Sequence, residues 1–276
     1  MDNDVCQSLS APDTYKRPAH DMLWSVTALL ASHLAAGGLF VAAVLAFANE
    51  LPGAFLRFCT ASAASASALA GLLEAGSARW VWFGLALASG AWHVALRKGG
   101  REKLAAGLTA IAAFAAPILG TLLSSESGGS GYGLAVAGAV SSSLLLGAVT
   151  VTMILGHWYL VDTRLSIAPL RDGALLVSIA VVLRWAAVLF ALGYGGWEVL
   201  RVSRAADFIL STNGLFFMFR SLMGLAAPLL LSVLIWQTVK MRSTQSATGL
   251  LYVALILVLF GELVSQFLLV RTGFPL

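Results

Sequence analysis

Six ionisable side chains stand inside otherwise apolar runs of this chain: His33, His93, His157, Arg184, Arg220 and Glu262. At the centre of a bilayer such a group costs about 3 kcal/mol or more unless it is paired or hydrated, so each is a candidate for function. Arg220 and Glu262 fall in consecutive apolar runs at nearly one depth, about 3 Å apart at 1.5 Å of rise per residue. They can form an ion pair, either a clamp between helices or a carboxylate poised for proton exchange. Arg184 has no acidic residue at its expected depth. It either snorkels toward the interface or, as expected here, faces a hydrated cavity or an anionic or carbonyl-bearing ligand. His33 lies near the middle of the first apolar run.

His93 and His157 sit near the ends of two odd-numbered runs, at similar depth on one side. Two imidazoles on different helices can hold a b-type haem; alternatively, each caps its helix end beside Trp92 or Trp158. His157 also opens the stretch His157-Trp158-Tyr159, which Asp162 and Arg164 follow. Trp158 and Tyr159 suit an aromatic belt at the membrane boundary. A histidine beside a tyrosine there can also take a proton from a quinol and pass it to water. The candidates for a quinone and proton path are therefore His33, His157, Tyr159, Arg184, Arg220 and Glu262. No covalent-catalytic or metal-binding set is read from the chain. It has no His-x-x-x-His, phosphate loop or nucleophile elbow, and its two cysteines, Cys6 and Cys59, form no cluster and no iron–sulfur ligand set.

The elements that must position these residues follow from composition. Of 276 residues, 59% are hydrophobic and only 11% charged, and the mean hydropathy is +0.88. A water-facing surface needs about a quarter of its residues charged, so the comfortable solvent is a bilayer. At about 20 apolar residues per span, the chain divides into about eight helices, at 22–48, 54–75, 79–96, 104–123, 134–161, 173–197, 214–239 and 247–270. The expected fold is all-α, a polytopic transmembrane bundle over 22–276 with no soluble domain, preceded by a flexible polar tail at 1–21. The first run ends in Ala46-Phe47-Ala48, which mimics a signal-peptidase site. Its length and the polar segment ahead of it read as a retained helix.

Small residues, at Ala35-Ala36-Gly37-Gly38 in the first helix and Ser141-Ser142-Ser143 in the fifth, invite close helix approach. The Ala/Ser-rich second helix is expected inside the bundle. Pro117 is expected to kink the fourth helix, and Ser124 to Gly133 is the expected flexible loop. The net charge of +4 gathers in loops and gives no argument for nucleic acid. The loops after the third, fifth and seventh helices hold Arg97, Lys98, Arg101, Lys103, Arg164, Arg171, Lys240 and Arg242. The other side holds Lys16, Arg17, Arg201, Arg204 and Arg271. This balance places both termini outside a bacterial cytoplasmic membrane.

Eight helices, a polar lead-in, Ala35-Ala36-Gly37-Gly38 in the first helix and Gly261-Glu262 in the last resemble the polysulfide reductase C, NrfD and DMSO reductase anchor superfamily. That resemblance covers the chain by helix count and only short patches by residue. It implies a membrane subunit of a respiratory oxidoreductase, exchanging electrons between quinone and an iron–sulfur partner subunit. The family's quinone-site residues do not carry over one by one. Two other readings remain open: a transporter for a small anionic or neutral solute, and a membrane cytochrome with haem b on His93 and His157.

Overall fold

The computed structural model describes residues 19–74, 76–99, 101–124, 131–162, 164–193 and 212–274. Most of the polar tail and of the 124–133 loop lies outside that set, as do Cys6 and four of the loop cations, Lys16, Arg17, Arg201 and Arg204.

The described chain is all helix: α1 Ala19–Ala48, α2 Gly53–Leu73, α3 Arg79–Lys98, α4 Glu102–Ser124, α5 Gly131–Val161, α6 Ala168–Ala191, α7 Thr212–Lys240 and α8 Thr244–Thr272. Seven of the eight are long and apolar enough to cross a membrane. The exception, α3, carries Arg79, Arg97 and Lys98 at its ends. It still traverses the bundle: Trp82 shares one cavity with Gly120 near the end of α4, and Trp92 shares another with Asn49, Glu102 and Lys103 at the opposite end. The outer surface is apolar, with Leu72, Leu87, Ile111, Phe190, Leu230 and Ile256 among its exposed residues. A face of that kind needs lipid around it. The protein is an integral, multi-pass membrane protein.

We call the end of the bundle that carries Ala19 and Thr272 proximal, and the end that carries Ala48 and Thr244 distal. α1 and α5 form the spine. Helix α1 packs on α2 and α4, α5 packs on α6 and α8, and the α1–α5 crossing joins the two halves. At that crossing Gly37 meets the backbone of Ser143 and Gly147, so closely that a Cβ on Gly37 or Gly147 would overlap main-chain atoms of the partner helix. Lipid tails are as apolar as leucine, so association in a membrane rests on such backbone approach and on packing.

Two expectations change. Helix α1 begins at Ala19, three residues into the expected tail. Helix α2 is peripheral: Cys59, Ala63, Ser67 and Ala70 are buried while Ala61, Ser62 and Ser65 are exposed. Its hydroxyls tolerate this because they bond to their own helix, Ser65 to Ala61 and Ser67 to Ala63. Helix α4 continues as one helix past Pro117, which leaves the expected kink there neither shown nor removed. Departures from α geometry lie at the end of α6, where Leu192 and Gly193 are π-helical, and in α7, where Arg220–Ala226 is a π-helical turn. Pro228 follows it at the start of the next α segment. A proline ring clashes with the carbonyl four residues back, here Gly224, and the wider turn accommodates that crowding.

The spine crossing makes a discriminating test. Gly37→Ala should destabilise the detergent-solubilised protein by about 1–3 kcal/mol or more. The adjacent Gly38→Ala, which meets nothing nearer than a Val151 methyl at 4.0 Å, should leave the thermal midpoint nearly unchanged. Equal effects would show that backbone contact does not set the crossing.

Candidate functional site

Four of the six expected path residues meet at one level. Counting from the distal ends, Arg184 stands 16 residues beyond Ala168 and Glu262 18 beyond Thr244. Arg220 stands 20 residues short of Lys240, and His33 15 short of Ala48. At 1.5 Å per residue they span less than about 8 Å of depth, and all four are buried.

The expected Arg220–Glu262 ion pair is present, but it is long and a second arginine holds the carboxylate more closely. Arg184, expected to lack an acidic partner, grips Glu262 bidentately, Nε to Oε1 at 2.9 Å and Nη2 to Oε2 at 3.0 Å. Arg220, expected to hold the carboxylate, comes no nearer than 4.0 Å. The reason lies in the start of α6. Pro169 opens the helix at Ala168, where its missing N–H is harmless, five residues earlier than expected. That earlier start carries Arg184 to the depth of Glu262.

The two arginines are also unequal in their remaining bonds. Arg184 gives Nη1 to the Gly138 carbonyl at 3.1 Å and the Ser141 hydroxyl at 3.3 Å. It gives its remaining Nη2 proton to the Ser265 hydroxyl at 2.9 Å. A guanidinium has five N–H donors, and all five are used. Arg220 has none of its nitrogens in a hydrogen bond among the described residues, although its side chain is 1% exposed. Arg184 therefore knits α6 to α5 and α8, while Arg220 meets Glu262 only as a 4.0 Å ion pair with its hydrogen-bond donors unused among the described residues.

Residues absent from the sequence-based set complete the network. The Ser142 hydroxyl donates to Glu262 Oε2 at 2.5 Å. Gln266 Nε2 donates to Ser142 at 3.2 Å and approaches His33 Nδ1 at 3.0 Å. Ser265 and Gln266 follow Glu262 by three and four residues, so helical spacing alone places them on its face. The Ser141–Ser143 run was legible as a small, polar-tolerant face, but its role as carboxylate donor was not.

His157 and Tyr159 lie apart from the cluster, near the distal end of α5. The exposed His157 ring pairs with Tyr252 on α8, whose hydroxyl is 3.1 Å from Nδ1. Tyr159 turns inward and donates to the Ser166 carbonyl. The histidine's tyrosine neighbour is thus on another helix, reached because Gly156 packs tightly against Thr248. His93 Nδ1 faces α2, 3.1 Å from Thr60 Oγ1 and 3.2 Å from the Arg57 carbonyl. His93 and His157 are thus engaged by different helices, and nothing in their contacts brings the two rings together.

A cavity of about 240 Å³ reaches the cluster from the proximal end. His33, Arg184, Ser265 and Gln266 form its floor, and Glu74, Ser124 and Gly273 lie at the proximal helix ends that form its mouth. A second, apolar groove of about 730 Å³ opens between α1, α7 and α8, lined by Phe216, Phe219, Phe260 and Phe267 among others. Phe219 is the residue just before Arg220. Burial raises the Glu74 carboxyl above its ordinary value, opposed by the neighbouring Arg79 guanidinium.

No protein-family model matches this chain, and no curated protein is significantly similar to it. The site rests on its geometry.

Two outcomes follow. Arg184→Met should cost about 3–5 kcal/mol, because it leaves Glu262 buried without its hydrogen-bonded partner. Arg220→Met should be near neutral or stabilising in the ligand-free protein, and Arg184→Met/Glu262→Met should recover part of the loss; denaturant titration in detergent reads all three. For Glu74, a raised pKa means that the folded protein disfavours the ionised form, a disadvantage absent at low pH that grows as pH rises through that value. Glu74→Gln should therefore raise the thermal midpoint at pH 7 to 8, with the difference vanishing toward pH 4. A difference independent of pH would assign the effect to packing.

Proposed function

We propose that the protein is the quinone-interacting membrane subunit of an oxidoreductase complex. Its ligand is a lipophilic molecule with carbonyl acceptors, held at Arg220 beside Glu262. The observation that carries this reading is the contrast between the two arginines: Arg184 has no donor left, and Arg220 has none in use. An unpartnered buried guanidinium costs the full desolvation of its donors, and a carbonyl oxygen relieves that cost without adding a second charge. The aromatic-lined groove beside Phe219 suits a lipophilic tail arriving from the bilayer. Two electrons from an iron–sulfur partner subunit and two protons convert a bound quinone to quinol, and Glu262 stands where a carboxylate could take part in that proton transfer. The helix count and the short patches shared with the NrfD-type anchors point the same way.

One observation favours a second reading. Two arginines and one glutamate leave a net positive charge beneath a cavity open at one end, which suits a small anion on a transport route.

Quinone extraction of the detergent-purified protein, with oxidised and dithionite-reduced spectra of the same sample, separates the readings. About one quinone per chain is expected, and Arg220→Met should lower the quinone content roughly tenfold to a hundredfold, the worth of a charge-assisted hydrogen bond. A quinone-free protein whose thermal midpoint rises with added chloride or small carboxylates would overturn the quinone reading in favour of anion transport. A reduced b-haem band would instead move attention to His93 and His157.

A further inference from the structure

Along the two central helices, α5 and α8, the buried polar groups are distributed unevenly, although Thr60, Ser89, Thr109 and Ser232 are buried in the distal half of other helices. Proximal to and at the level of Glu262 lie Ser32, His33, Ser141, Ser142, Ser265 and Gln266, all buried. Distal to it the buried faces of the two central helices are almost wholly apolar: Leu145, Leu146, Val149 and Leu155 on α5, and Leu251, Ala254 and Val258 on α8, each at most 1% exposed. Thr150, Thr152 and Thr248 are the polar exceptions. The Thr248 hydroxyl is turned onto the Thr244 carbonyl of its own helix, while the Thr150 and Thr152 hydroxyls are buried with no hydrogen-bond partner among the described residues. The proximal cavity ends where that apolar plug begins.

The cavity's lining is mixed: Leu29, Trp82, Pro117 and Leu269 make much of it apolar, and polar groups interrupt that wall at its two ends. Glu74, Thr121 and Ser124 offer polar groups on its wall and mouth, and His33, Ser265 and Gln266 at its floor. The Gln266 carbonyl oxygen has no hydrogen-bond partner among the described residues, although the residue is 2% exposed. A buried acceptor of that kind is a place for ordered water, which needs a roomy polar site with two to four partners. About 240 Å³ holds several waters at about 30 Å³ each.

We propose that this cavity is a one-sided aqueous vestibule. Water and protons reach the floor of the buried cluster from the proximal end, and the apolar packing of α5 against α8 closes the distal end. His33, 14 residues below Ala19 and so about 20 Å along α1, is the titratable group that meets this water at the floor. Any proton exchanged with the cluster is drawn from, or returned to, the proximal side alone. This holds whether the ligand at Arg220 is a quinone or an anion.

Cysteine accessibility tests it without any ligand. In a Cys6→Ser/Cys59→Ser background, Thr121→Cys and Ala139→Cys place thiols on the cavity wall, and Ala254→Cys and Val258→Cys place them in the plug. A tag at the N-terminus reports the sidedness of the membrane vesicles. Both cavity thiols should react with a small, membrane-impermeant methanethiosulfonate cation added on the N-terminal side and resist it from the other. Both plug thiols should stay silent from either side. Unreactive cavity thiols in protein that elutes as folded wild type does would show a dry cavity and overturn the proposal. Labelling of cavity or plug from the distal side would overturn its one-sidedness.

Discussion

Glu262 is an ionisable carboxyl group buried at mid-depth in a membrane-embedded bundle, and the protein around it is arranged to make that tolerable. A bilayer offers no hydrogen bonds, so every polar group within it must find its partners in the protein. One carboxylate oxygen takes Arg184 Nε, and the other takes Arg184 Nη2 and Ser142. Each of these bonds fixes a helix. Arg184 comes from α6 and Ser142 from α5, and the other donors of Arg184 close on Gly138, Ser141 and Ser265. A bidentate fork with all its protons used leaves the side chain little freedom. The pair is accordingly the anchor of the second half-bundle.

The backbones can come close enough to make these bonds because the crossings are glycine on glycine. Gly37 meets Gly147 where the two halves join, and Gly224 meets Gly261 where α7 passes α8. The second crossing lies one residue from Glu262 and inside the π-helical turn that begins with Arg220. Close approach and a widened turn thus coincide at the arginine whose donors are unused. A π turn adds a residue to the helical turn and so re-aims the side chains it carries, which is why such turns collect at functional sites. Here it leaves Arg220 at 4.0 Å from a carboxylate already held by another residue.

The two ends of the membrane-embedded core have opposite character. Hydroxyls, an amide and an imidazole surround the cluster and the proximal cavity, while leucine, valine and alanine dominate the distal half of the central helices. Near the distal end polar contacts join helices at the edge, as in the His157–Tyr252 pair and the bond from Asn49 at the end of α1 to Asp172 near the start of α6, and Thr60 and Ser89 are buried further in between α2 and α3.

Much of this architecture is legible without coordinates. Low charge and long apolar runs require a membrane bundle, because no other solvent would accept them, and the runs delimit eight helices to within a few residues. The ionisable residues at mid-depth mark the site, since each is too costly to keep there without a partner. The helical spacing of Glu262, Ser265 and Gln266 puts them on one face. Which arginine holds Glu262 was beyond the sequence, because that depends on depth. Depth depends on where α6 begins, and a five-residue shift at Pro169 exchanges the roles of Arg184 and Arg220. Tyr252 as the partner of His157, the π turn at Arg220 and the one-sided cavity likewise arise from packing between helices distant in the chain. Local pattern sets which residues share a helix face; only the tertiary structure sets which faces meet, because in a membrane that choice rests on close packing and hydrogen bonds rather than on hydrophobicity.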